Sequence, residues 1–198
     1  TLTPGSAGTI NINGGTLIAN LITNGAGSGT INLANGAMTL YGTAGTAAVP
    51  ISKFATTNST LNLALMAGST NLMVTTLTTG GATNVVNIVS APPFASYPVQ
   101  IPLVKYSGSI GGTGFNFGLG TLPPLYAGHL VNNMANSTID VLLTAGSSTL
   151  TWTGSSSGNW DTSTANWTSG GPAVYSDGDF VQFFDGAINN SVNLTAGF

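Results

Sequence analysis

Gly8-Thr9-Ile10-Asn11-Ile12 returns as Gly29-Thr30-Ile31-Asn32-Leu33, with Gly15-Thr16-Leu17-Ile18 between the copies and Ser59-Thr60-Leu61-Asn62-Leu63 further on. Each copy alternates apolar with polar or small residues, the period of a half-buried strand whose side chains point to opposite faces in turn. Alternation alone fits a sandwich, a barrel or a solenoid. The spacing separates them, because strands of like pattern set about one coil apart are what a chain needs if each coil stacks on the last. In such a stack inward residues form aliphatic columns, and outward Thr or Asn ladder from coil to coil about 4.8 Å apart. The pattern predicts an all-β fold, a right-handed parallel β-helix (β-solenoid), with a β-sandwich as the alternative.

Between the strands lie Asn13-Gly14-Gly15, Asn24-Gly25-Ala26-Gly27, Asn35-Gly36 and Gly80-Gly81, residues that tolerate positive φ and so turn a chain sharply. No long stretch carries apolar residues at helical spacing, and good helix formers are scarce. The texture changes at Ala91. Pro92, Pro93, Pro98 and Pro102 interrupt the ladder, since proline is tolerated only at edges, strand starts or bulges. Longer strands then read from Val99 to Tyr106 and Thr138 to Leu143, and a Ser/Gly joint at 145–149 leads into a Trp-rich stretch. The expected organisation is a solenoid unit over 1–148 and the start of a further β-repeat unit over 149–198.

Composition narrows the function. Of 198 residues only 4% are charged: Lys53, Lys105 and five aspartates, with no arginine or glutamate. Ordinary soluble domains carry roughly 25%. Two lysines cannot neutralise the several phosphates from which nucleic-acid affinity is built, so that class is set aside. A chain with so little charge does not disperse itself by repulsion, and it either assembles or presents a surface of hydroxyls and amides. Without cysteine there is no disulfide framework and no thiolate metal site. No apolar run approaches the roughly 20 residues that span a bilayer. The opening Thr1-Leu2-Thr3-Pro4-Gly5 lacks a basic leader region, and the alternation running to Phe198 reads as an excerpt of something longer.

Trp152-Thr153-Gly154, Gly158-Asn159-Trp160-Asp161, Asn166-Trp167 and Asp177-Gly178-Asp179-Phe180-Val181-Gln182-Phe183 follow one another in an order that resembles the autotransporter-associated β-strand repeat of long bacterial surface proteins. The preceding Val104-Lys105-Tyr106-Ser107-Gly108, Phe115-Asn116-Phe117 and Thr138-Ile139-Asp140-Val141 look like the end of such a unit. The resemblance covers the C-terminal half by motif and residues 1–90 by texture. It implies a passenger-type β-helix, exported and displayed at the bacterial cell surface, and it implies no reaction.

Candidate sites are few. Trp152, Trp160 and Trp167 offer an aromatic platform for sugar rings, against which stands simple packing over a solenoid turn. Asp177 and Asp179 offer hard oxygen ligands to a metal ion such as calcium, but Asp-Gly entering a strand is more often a turn, and no calcium-binding loop pattern accompanies it. His129, the one histidine, has no nucleophile elbow to serve and reads as a strand-edge residue. Gly111-Gly112-Thr113-Gly114 lacks the lysine of a phosphate loop and reads as a turn. Asn58, Asn136, Asn166 and Asn193 begin glycosylation acceptor triplets, which mark exposed turns if the source modifies them. The reading is a non-enzymatic structural segment of an extracellular fibre, needing no cofactor. Its partners are copies of itself or adjacent repeats paired head to tail. An adhesin binding surface polysaccharide through the tryptophans is the alternative.

Overall fold

The computed structural model describes residues 4–195, and among these there is no helix. The chain falls into two compact units, each packed mainly on itself. The first takes the described residues up to Ala91, Gln100–Pro123 and Gly128–Leu142; the second takes Pro92–Val99, Pro124–Ala127 and the residues from Leu143 onward.

The first unit is a parallel β-solenoid of about four turns. Each early coil contributes two strands. β1 (Ala7–Asn13), β3 (Ser28–Ala34), β5 (Ile51–Thr57) and β7 (Leu72–Gly80) stack in parallel on one face, followed by the short β10 (Gly111–Gly112). On the other face β2 (Thr16–Ile22), β4 (Ala37–Ala44), β6 (Thr60–Ala64), β8 (Asn84–Ser90) and β11 (Phe117–Leu119) do the same. The stretch that repeats in sequence is the one that stacks: Gly8 faces Gly29, Ile10 faces Ile31, and Ile12 faces Leu33. Ser59-Thr60-Leu61-Asn62-Leu63, however, is no third copy of that strand. Its Thr60–Leu63 pairs with Ala37–Leu40 on the second face, and the third rung of the first face is Lys53-Phe54-Ala55-Thr56. β3 and β6, on different faces, both alternate aliphatic residues with asparagine, so texture does not tell one face from the other.

The corners explain the glycines and asparagines. Gly14 (φ 73°), Asn35 (φ 49°), Asn58 (φ 46°) and Gly81 (φ 76°) take left-handed backbone where the chain passes from the first face to the second in successive coils. Only Gly adopts that conformation freely, and Asn tolerates it best among the rest. Inward side chains form unbroken columns, Ile31–Phe54–Leu77 on one face and Met38–Leu61–Val86 and Leu40–Leu63–Ile88 on the other, all buried. Each such side chain contributes about 1.5–3 kcal/mol by leaving water. A neighbouring column changes character along the stack, running Ile12, Leu33, Thr56, Thr79. The buried hydroxyls it acquires are satisfied, Thr56 Oγ1 donating to Asn84 Oδ1 at 2.9 Å and Thr79 Oγ1 to the Gly114 carbonyl at 2.6 Å.

Beyond β8 the coil lengthens. Pro92, Pro93 and Pro98 fall between strands, but Pro102 lies inside β9 (Val99–Lys105). β9 meets β7 only at Val104 and Lys105, past the residue that has no N–H to give. β9 also pairs with β13 (Thr138–Ala145), which pairs with β12 (Ala127–Asn133).

The second unit is built on short strands. β14 (Thr149–Trp152) pairs antiparallel with β16 (Trp167–Thr168), which pairs antiparallel with β17 (Pro172–Ala173). Coil-like parallel stacking resumes where β14 lies beside β18 (Phe180–Gln182) and β15 (Asn159–Trp160) beside β19 (Asn193–Leu194).

Candidate functional site

The three tryptophans meet in the second unit. Trp152 and Trp167 cross edge to face at 5.0 Å, and Trp160 and Trp167 at 5.1 Å; Phe183 lies 5.6 Å from Trp167 and 5.7 Å from Trp160. Such geometry sets the electropositive edge of one ring on the face of the next. With Leu150, Trp152 and Trp167 form the buried core of this unit. They are 2% and 1% exposed, and Trp152 Nε1 donates to the Asn189 carbonyl at 2.7 Å. An indole closed in on both faces has none to offer a sugar ring. Only Trp160 is half-buried.

The core is framed by Asn166, which is fully buried with all of its amide used. Its Oδ1 accepts from Ser156 N (3.0 Å) and Ser157 N (2.8 Å), while its Nδ2 donates to Ser157 Oγ (2.9 Å) and the Asn159 carbonyl (2.7 Å). This corrects one expectation: Asn166 is no exposed glycan acceptor, whereas Asn58, Asn136 and Asn193 are exposed.

Asp177 and Asp179 lie in a tight turn ahead of β18 and not within a strand. The turn closes through Asp179 N donating to the Ser176 carbonyl at 3.0 Å, with Gly178 at φ 94°. Asp179 uses both oxygens on backbone N–H groups, Ser148 N at 2.8 Å and Ser176 N at 2.9 Å. Asp161 does related work, accepting from Ser163 N, Thr164 N and both side-chain hydroxyls, and these bonds, led by that from Thr164 Oγ1, bring its carboxyl down to about 2. Among the described residues no three His, Cys, Asp or Glu side chains gather as metal ligands would. His129 stands exposed on β12, and of the four residues expected as a turn Gly111 and Gly112 form the short strand β10 against β7, the chain turning only at Thr113 and Gly114, with Gly112 and Gly114 at positive φ.

A different constellation is in the first unit. A cleft of about 830 Å³ is lined by Gln100, Pro102 and Lys105 of β9, by Asn133 and by Thr138 and Asp140 of β13, with Tyr106 and Met73 at its walls. Asp140 is only 3% exposed. Its Oδ2 accepts from Gln100 Nε2 at 2.6 Å and Asn133 Nδ2 at 2.8 Å, and its Oδ1 has no hydrogen-bond partner among the described residues. Burial, and then the nearby Asp140 carboxylate, raise the pKa of the Tyr106 phenol. Sequence reading passed over this group because its members come from separate strands. The available signal was an aspartate set between Ile139 and Val141, the one charged residue of its strand.

The chain matches no family model, no curated protein and no solved structure.

Proposed function

We propose that this chain is a structural, non-catalytic segment of an extracellular bacterial surface protein or fibre, extended head to tail by strand pairing. The observation that carries the reading is that each unit keeps strands with a neighbour on one side only. Among the described residues β1 pairs only with β3 and β2 only with β4, while β18 pairs only with β14 and β19 only with β15. An edge with free N–H and C=O groups is a template for another strand. Large apolar side chains accompany these edges, Ile18 (65% exposed) and Leu21 (61%) on β2, and Phe180 (57%) on β18 with Phe184 (61%) and Leu194 (65%) following. With a net charge of only −3 the repulsion between copies that opposes their association is small. The next coil can come from the same polypeptide or from a second copy. The order of tryptophans and the Asp-Gly-Asp turn that resemble the autotransporter-associated repeat support the same reading and add the cell-surface location.

Sedimentation of the purified chain over rising concentration tests it, with electron microscopy of the concentrated sample. Elongated oligomers that Phe180→Lys and Leu194→Lys disperse are the expected result. A monomer at every concentration would defeat the proposal.

A further inference from the structure

Resting on the head-to-tail reading, we propose that the junction pairs β19 of one copy in parallel with β1 of a second copy, with Val192, Asn193 and Leu194 of the first opposite Ile10, Asn11 and Ile12 of the second.

The two edges match in sequence. Val192-Asn193-Leu194 carries the pattern of Ile10-Asn11-Ile12 and of Ile31-Asn32-Leu33, and the latter two already stack residue on residue. Side-chain direction agrees. Val192 packs against the buried Trp core of its unit and so faces inward, which sets Asn193 outward and Leu194 inward beside its rung partner Trp160. On β1, Ile10 and Ile12 head inward columns and Asn11 faces outward. The proposed register covers Ile10, 37% exposed, with Val192, and seats Leu194, 65% exposed, on Ile12.

The backbone fixes the parity. Along a parallel strand, alternate residues bond to a given neighbour. Ser28 N donates to the Ser6 carbonyl and Gly14 N to the Ala34 carbonyl, both at 2.9 Å, so the even residues of β1 bond to β3. Thr9, Asn11 and Asn13 aim their N–H and C=O groups the other way. On β19, Asn193 N and Thr195 N donate to the Gly158 and Trp160 carbonyls, which leaves Leu194 aimed away from β15. Leu194 therefore bonds between Asn11 and Asn13, as a parallel register opposite Ile12 requires. A slip of one residue would set it against groups that β3 already uses. A slip of two would place Val192 over Gly8, or Asn190 over Ile10, and lose an apolar rung either way.

The outward ladder gives the junction its polarity. Within the solenoid the later coil donates: Asn32 Nδ2 to Asn11 Oδ1, Asn62 Nδ2 to Thr39 Oγ1, Asn87 Nδ2 to Asn62 Oδ1. Asn11 Nδ2 is left without an acceptor among the described residues, and the exposed Asn193 brings an amide oxygen to that rung.

The chain has no cysteine, so Asn11→Cys, Asn193→Cys and Thr9→Cys each introduce a single thiol, all at exposed positions. Asn11→Cys and Asn193→Cys, mixed and oxidised with copper phenanthroline, are expected to form a disulfide-linked dimer about tenfold faster than Thr9→Cys mixed with Asn193→Cys. Facing rungs hold their Cα atoms about 4.8 Å apart, whereas residues two out of step lie beyond about 7 Å, too far to bridge. Asn11→Asp, which removes the donor, should raise the concentration at half assembly about fivefold, and Asn193→Asp, which keeps an acceptor there, should not. A faster link from Thr9→Cys, a link formed chiefly between two Asn11→Cys copies, or an equal effect of the two aspartates would overturn this register while oligomers in sedimentation leave the head-to-tail reading standing. A chain that never leaves the monomer defeats both.

Discussion

Gly42 shows how one residue sets the local path. β2 and β4 run in register from Thr16 opposite Ala37 to Ala19 opposite Leu40, then resume at Leu21 opposite Thr43, so Asn20 faces two residues of β4. A Cβ at Gly42 would lie 2.2 Å from the Asn20 carbonyl oxygen, a distance only backbone movement relieves. Gly42→Ala should therefore destabilise the chain by about 1–3 kcal/mol, seen as a lower urea midpoint with unchanged slope. Asp161 makes a pH prediction. Its folded pKa, about 2, lies below its ordinary 3.8, so its contribution to stability is present above the ordinary value and fades as pH falls toward 2. Carboxyl NMR should record that low titration, and Asp161→Asn should flatten the acid side of the stability profile between about pH 4 and 2. Neither residue declared itself in sequence. Asp161 sits in the Trp motif as one polar residue among many, and Gly42 is one of 28 glycines, singled out only by a bulge that pairing creates.

Elements were more legible than their partners. The Ile-Asn-Ile and Leu-Asn-Leu alternations mark β1, β3 and β6, and the Asn-Gly clusters mark corners, because both signals are local. Which face a strand joins is not local, and β6 shows the consequence. The expected outward ladder is present: Asn32 Nδ2 donates to Asn11 Oδ1 at 2.7 Å across 21 residues, Asn62 to Thr39 across 23 and Asn87 to Asn62 across 25. These separations trace the drifting coil length that blurs the repeat. Inward, Asn84 joins three segments at once. Its Oδ1 takes Thr56 Oγ1 and Ser59 N, and its Nδ2 reaches the Gly80 and Asn116 carbonyls at 3.2 Å each. Asn84→Ala should cost about 2–4 kcal/mol by stranding several buried groups, whereas Asn87→Ala in the outer ladder should cost less than about 1 kcal/mol. Thermal melts of the two variants compare them directly.

At the scale of the whole molecule, composition pointed to the class of fold but not to its sites. Few charges and no cysteine left burial of aliphatic columns and backbone pairing as the means of cohesion, and the first unit is built that way. The tryptophans were found by their order, yet whether an indole supports a core or meets a ligand depends on what covers it. For Trp152 and Trp167 the cover is each other, Phe183 and Leu150. The cleft around Asp140 was hidden for the opposite reason, its parts being unremarkable until three strands bring them together.

In the first unit the hydrogen bonds between coils run from rung to rung, so a tether drawn away from β1 loads one rung at a time and peels the stack like tape. Each rung that lets go frees the 21, 23 or 25 residues between ladder partners, or about 70–90 Å of extended chain. Stretched in an atomic force microscope, this unit should yield a train of small, evenly graded force peaks at that spacing in place of one large rupture.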